Sequence, residues 1–241
     1  MRTAISIPQI CLIMLLFGMF SAHAAVPPEI QSGDIEAQVH IDLPAKKGNN
    51  RATAAVVWLK PVGSVDPAPA PSPSHFTLLQ KKRTFTPHLL VIPVGSTVSF
   101  PNDDPFFHNV FSLFNGKRFD LGLYEAGSSK DVVFSREGVS YIFCNIHPEM
   151  SAVILSLTTP YFTTGDTEHA FKLLIPEGEY ELHVWVEGVP QPSLDQLTRR
   201  VHFAGGAANS ATISAKGLPQ QPPSHLNKFG KPYEKDATPV Y

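Results

Sequence analysis

Sulfur is scarce in this chain. Its 241 residues hold two cysteines and four methionines. Cys11, Met1, Met14 and Met19 all fall in the first twenty positions, so the remainder keeps one of each, Cys144 and Met150. A disulfide within that remainder is excluded, and so is a dinuclear centre with two bridging thiolates. Charge is also sparse, at 17% of residues with a formal net charge of −2. Without a basic excess, the chain lacks the electrostatic footprint of a nucleic-acid binder or a polybasic membrane-surface protein. No segment of helical period stands out, and no internal repeat dominates. There is no G-x-S-x-G, H-E-x-x-H, P-loop or dinucleotide fingerprint. There is no H-x-H pair, so a trinuclear copper cluster is unsupported.

What is present begins with a three-part N-terminus. Arg2 is the only charge before Glu29, Ile10 to Phe20 is an apolar run, and Ala22-His23-Ala24 is a small-x-small cleavage pattern. This layout predicts a secretory signal peptide over 1–24. The apolar core is short of the roughly 20 residues that a membrane span needs. The expectation is therefore an exported protein, periplasmic or secreted, with no membrane anchor after cleavage.

The rest reads as all-β. The chain has 23 Pro and 16 Gly, with short runs of Val, Thr, Phe and Ile between them. Residues 25–31 read as a leader. "IEAQVHID" and "AAVVWLK" read as strands within 25–60, and 61–74 is a Pro/Ala/Ser linker. A dense strand region covers 75–158, including "KDVVFSREGVSYIFC", read as a hairpin around "REG". After Pro160 strands resume. In "YELHVWVEG", Tyr180, Leu182, Val184 and Val186 share one face, the alternation of a half-buried strand. Residues 217–241 are polar and Pro-rich, the composition of a poorly ordered tail.

Exported proteins normally pair their cysteines, yet Cys144 has no partner. An inert thiol, a catalytic thiolate, a metal ligand and an intermolecular disulfide are the readings open to it. Its neighbours weigh in. "CNIHPEM" spaces Cys144, His147 and Met150 as C-x2-H-x2-M, and His108 stands upstream in "PFFHNV". Two His, one Cys and one Met form the donor set of a blue-copper electron-transfer site. Thiolate and thioether suit Cu(I), and imidazole suits either copper state. Zinc could use the same donors but gains little from a thioether. A Cys-His hydrolase would have no use for Met150 and His108. Cys144 ends an expected strand, and His147 and Met150 lie on the turn after it, with His108 on a second loop.

The stretch "HLLVIPVGSTVSFPNDD…HNV" followed by "CNIHPEM" resembles the cupredoxins, and its short ligand loop is most similar to that of amicyanin. The resemblance covers 76–158. It implies a Greek-key cupredoxin sandwich over 75–158 that binds one copper through His108, Cys144, His147 and Met150. It implies that Asn109 buttresses the site beside the thiolate or ties the two ligand loops together. It also implies that His147 is the ligand nearest the surface and the electron exit. Phe106, Phe107 and Pro148 would form either an apolar rim for a redox partner protein or ordinary packing. The function implied is a type 1 copper protein passing single electrons between exported partners, without enzyme activity. A copper carrier or sensor is the alternative. Glu149 is expected to face solvent, leaving Met150 axial.

The flanks "GDIEAQVHID…NNRATAAVVWL" and "TTGDTEHAFKLLIPEGEYELHVW" resemble carboxypeptidase-regulatory-like sandwiches. The whole chain is similar to exported cupredoxin-like proteins labelled for methylamine utilisation. The layout expected is a second, smaller, discontinuous β-sandwich, 25–60 paired with 159–216, into which the cupredoxin is inserted. Independent flanking domains are the alternative.

Overall fold

A computed structural model describes residues 34–43, 53–63, 69, 71–113, 116–205, 209–216, 218 and 226–233. The expected signal peptide and leader lie outside them. In chain order the elements are β1 (Ile35–Asp42), β2 (Ala54–Val62), β3 (His75–Thr77), β4 (Leu79–Lys81), β5 (Thr84–Thr86), β6 (Leu89–Pro93) and β7 (Thr97–Pro101). They continue with β8 (His108–Ser112), β9 (Phe119–Tyr124), β10 (Ser129–Val133), β11 (Gly138–Phe143) and β12 (Ser151–Leu157). The last are β13 (Phe162–Asp166), β14 (Phe171–Ile175), β15 (Gly178–Val186), a one-turn helix α1 (Gln191–Asp195), β16 (Arg199–Phe203) and β17 (Ser210–Ser214).

The all-β class holds. The middle of the chain folds as two sheets, β10-β7-β3 against β6-β12-β11-β8-β9, with a small β4-β5 ribbon beside them. Between them lies a core of Phe76, Leu78, Phe85, Val98, Phe100, Phe134, Ile142 and Ile154. The flanks build two further sheets, β14-β1-β17 and β13-β2-β15-β16. Strands from both sides of the middle region share each of these. β2 lies between β13 and β15, pairing Val57 with Thr163 and with Val184. β1 pairs antiparallel with β14 and parallel with β17. The alternation read in β15 is seen, with Tyr180, Leu182, Val184 and Val186 all buried in the second core.

One hairpin expectation fails. β10 pairs with β7, whereas β11 pairs with β12 and β8, so the "REG" corner carries the chain from one sheet to the other. Period-2 patterning tells which face of a strand is buried, but not which sheet the strand joins.

β12 shows why the molecule does not split into two separate cores. Ala152 and Ile154 point into the middle core, while Val153, Leu155 and Leu157 belong to the flanking core. A strand buried on both faces reads as a continuous apolar run, and "AVILSL" is one. Polar links cross the same seam. Trp185 Nε1 donates to Tyr141 Oη at 3.3 Å, Lys60 pairs with Glu137 at 2.8 Å, and His88 with Glu187 at 3.1 Å.

Candidate metal centre

The centre starts from a loop folded around an asparagine. Asn102 Nδ2 donates to the carbonyls of Phe106 (2.8 Å) and Tyr124 (3.4 Å), and its Oδ1 accepts the Asp104 N–H (3.1 Å). This fixes residues 102–107 and delivers His108 as the first residue of β8, rather than on a loop as expected. Beside it, the β4–β5 turn places Lys82 and Arg83 at φ 55° and 54°. Both central residues with positive φ make a type I′ geometry, which non-glycine residues adopt at a cost. Their N–H groups converge on the buried Asp104 carboxylate, at 2.6 and 2.9 Å. The same carboxylate lies 2.8 Å from His108 Nε2. Burial works against the Asp104 charge. The Arg83 N–H, the His108 ring and the Lys82 N–H outweigh it and hold the carboxyl below its usual range.

An ionised carboxylate only accepts, so His108 carries its proton on Nε2 and turns a lone pair on Nδ1 inward. Nδ1 lies 3.7 Å from Cys144 Sγ and 3.1 Å from His147 Nδ1, and Cys144 Sγ lies 3.6 Å from His147 Nδ1. The three donor atoms lie within 3.7 Å of one another, close enough for one ion to reach all of them at bond lengths of about 2.0 Å to nitrogen and 2.3 Å to sulfur. The triangle therefore fits one ion with little movement. The two Nδ1 atoms are close enough to share one imidazole proton or to face one ion. His147 Nε2 is buried with no hydrogen-bond partner among the described residues.

Burial pushes the Cys144 thiol up, against backbone N–H groups of Asn109, Ile146 and His147 that favour the thiolate. Burial lowers both imidazoles, against Asp104 for His108, while His147 is lowered further by its neighbour His108. Each shift favours the neutral ring that binds metal. The ligand loop is closed by Cys144 N–H to Met150 O (3.3 Å) and Met150 N–H to His147 O (3.0 Å). Met150 is fully buried in the middle core, and Glu149 and Pro148 are exposed.

The structure thus brings His108, Cys144 and His147 into contact and puts Met150 on the loop that carries two of them. His147 is the most exposed of the four residues, though at 3% it is still buried, with the Phe106 ring packed against both imidazoles at 5.6 and 5.3 Å. Of the two roles expected of Asn109, its backbone N–H takes the one beside the thiol, while its side-chain Nδ2 reaches Asp120 in β9 (2.7 Å) and does not tie the ligand loops together. The tail differs from expectation. Residues 226–233 do not hang free but lie against the ligand loop, where Tyr233 Oη donates to Cys144 O at 2.8 Å. Asp104 was missed entirely. Its only signal is turn chemistry in "PNDDP".

No protein-family model matches the chain, and no curated protein does. Among solved structures, a purple cupredoxin from Nitrosopumilus maritimus is 29% identical over 34% of this chain and 98% of its own, with TM-score 0.31. A copper-containing nitrite reductase from Thermus scotoductus is 28% identical over 41% of this chain, with TM-score 0.33, and the match spans a quarter of that enzyme. A reduced amicyanin variant is 19% identical over 34% of this chain and 82% of its own, with TM-score 0.33.

Proposed function

We propose that the chain is a type 1 copper protein that carries single electrons between exported redox partners, with His108, Cys144, His147 and Met150 as ligands of one copper. The carrying observation is the buried N, N, S triangle with a buried methionine on the same short loop. Copper bound there would supply a one-electron couple. The chain's own residues supply the rest. Asp104 orients the His108 ring and enriches it in charge. Three backbone N–H groups spread the thiolate charge. Loops held by Asn102 and by the Cys144–Met150 bond resist movement, so little rearrangement accompanies a change of charge.

A carrier that hands metal on needs an open, Met- or His-rich site, and this one is closed. An enzyme needs an open coordination position or a second cluster. The proposed role is therefore a shuttle. Export rests on the N-terminal pattern; no helix among the described residues is long and apolar enough to cross a membrane. Partner docking is proposed on the face of Phe106, exposed Phe107 and Pro148, where Pro105, Phe106, Phe107, Glu125 and Ala126 line a shallow depression.

The test is the visible spectrum after Cu(II) is added to the protein. An intense thiolate-to-copper band that disappears in Cys144→Ser supports the reading. A colourless protein that retains zinc in preference to copper overturns it.

A further inference from the structure

The C-terminal segment was legible only as polar, Pro-rich sequence, yet 226–233 has a built shape. Asn227 organises it. Its N–H donates to Lys231 O (2.8 Å), its carbonyl accepts the Gly230 N–H (2.9 Å), and its Oδ1 accepts the N–H groups of Phe229 and Lys231 (both 3.0 Å). Gly230, at φ 72°, closes the turn in the left-handed region that favours glycine.

The turn attaches to the centre at three points. Lys228 N–H donates to Asn145 Oδ1 (2.9 Å), the residue after the thiol ligand. Lys228 Nζ donates to Asp120 Oδ2 (2.8 Å), whose other oxygen accepts Asn109 Nδ2 (2.7 Å) and the Gly122 N–H (2.9 Å). Tyr233 Oη donates to the carbonyl of Cys144 itself (2.8 Å). Leu226 is 51% and Phe229 71% exposed, while the Tyr233 ring is half-buried. The polar contacts fall on a ligand, on the residue after a ligand, and, through Asp120, on the residue after another.

We propose that the C-terminal turn is a working part of the metal centre, with Tyr233 and Lys228 as positioning residues for the Cys144 ligand loop. The proposal rests on reading that loop as a metal site. Holding the Cys144 carbonyl fixes the Cys144–Asn145 peptide plane. That plane sets the direction in which the chain continues to Ile146 and His147, whose N–H groups face the sulfur. Holding Asp120 fixes the Asn109 side chain, and with it the third N–H. Release of the turn frees both supports, and the sulfur becomes reachable by solvent through local opening.

The test uses the metal-free full-length chain with Cys11→Ser, so that Cys144 is its one thiol. The rate of reaction with a disulfide reagent such as DTNB then reports opening of the ligand loop. Tyr233→Phe and Lys228→Met should each accelerate it. The two together should do so roughly thirtyfold, the effect of losing the two side-chain hydrogen bonds of Tyr233 and Lys228 at ordinary net strength. Lys231→Ala, at an exposed position on the same turn, should react at the parent rate. In copper-loaded protein the double variant should lose Cu(I) to a chelator faster. Parent-like thiol rates in both single variants and the double variant overturn the proposal. Equal acceleration by Lys231→Ala also overturns it. If the parent develops no thiolate-to-copper band, the copper reading fails, and the thiol rates still decide the role of the turn.

Discussion

At the scale of single residues, Asp104 decides how His108 behaves. A carboxylate behind a ligating imidazole fixes its tautomer and raises its basicity. Asp104→Asn keeps an oxygen for the His108 Nε2–H but removes the charge. An amide oxygen also cannot serve His108 and the Lys82 and Arg83 N–H groups as a carboxylate does. Metal binding should weaken by about tenfold to a hundredfold, the range seen when such outer partners are removed. The copper reduction potential should rise, because a less electron-rich imidazole supports Cu(II) less well. A redox titration and a competition assay for Cu(I) check both. Met150→Leu should also move the potential, and an unmoved value would rule out Met150 as a donor. The proposed donors were legible because the one Cys and the one Met after residue 20 fall six positions apart around His147, with His108 added by the family resemblance. Asp104 was not, since an Asp-Asp pair in a turn is ordinary turn chemistry. Its role depends on a β4–β5 turn twenty residues earlier aiming two N–H groups at it.

At the scale of elements, the most constrained strand is β12. Its alternate residues feed two cores, so truncation there cannot be absorbed by one side relaxing. Leu155 is fully buried in the flanking core. Leu155→Ala should cost about 2–5 kcal/mol of stability, measured by denaturant unfolding. The same strand shows how far sequence reaches. Its apolar run marked a strand, but that both its faces are buried was hidden, because the cover of the second face lies in strands before residue 63 and after residue 160. The β10–β11 corner was misread for a related reason. Turn residues mark where a strand stops, while tertiary packing decides which sheet the next strand enters.

β15 carries a pH-dependent element. His183 stacks on Trp58 with ring centroids 5.2 Å apart, and its Nδ1 meets Thr198 Oγ1 at 3.2 Å. Burial, then the Lys60 charge, lower its pKa, against Glu181 and Glu137. The unfolded chain therefore binds a proton there more readily than the folded one. Stability falls as pH drops through the ordinary histidine value toward the lower folded one. Thermal midpoints between pH 7.5 and 5 should drop less in His183→Gln than in the parent. Parallel curves for the two would show that His183 remains neutral or charged alike in both states.

At the scale of the whole molecule, the candidate metal centre and the flanking sheets are separate in chemistry but not in packing. The five-stranded sheet that carries His108 and leads into Cys144 is also one wall of the flanking core. Loss of either half exposes apolar surface on the other, which argues for a single cooperative transition. Copper binding provides the check, because a ligand bound only by the folded state stabilises everything that unfolds with its site, by about 2.7 kcal/mol at a hundredfold excess over Kd. The chain has two tryptophans, Trp58 in β2 and Trp185 in β15, and both are buried in the flanking core. Their fluorescence reports melting of the half that holds none of the ligands. Adding copper should raise the midpoint seen by tryptophan fluorescence as much as the midpoint seen by far-UV circular dichroism. A fluorescence midpoint that remains fixed while the rest of the chain is stabilised would mean that the shared face of β12 does not couple the two halves.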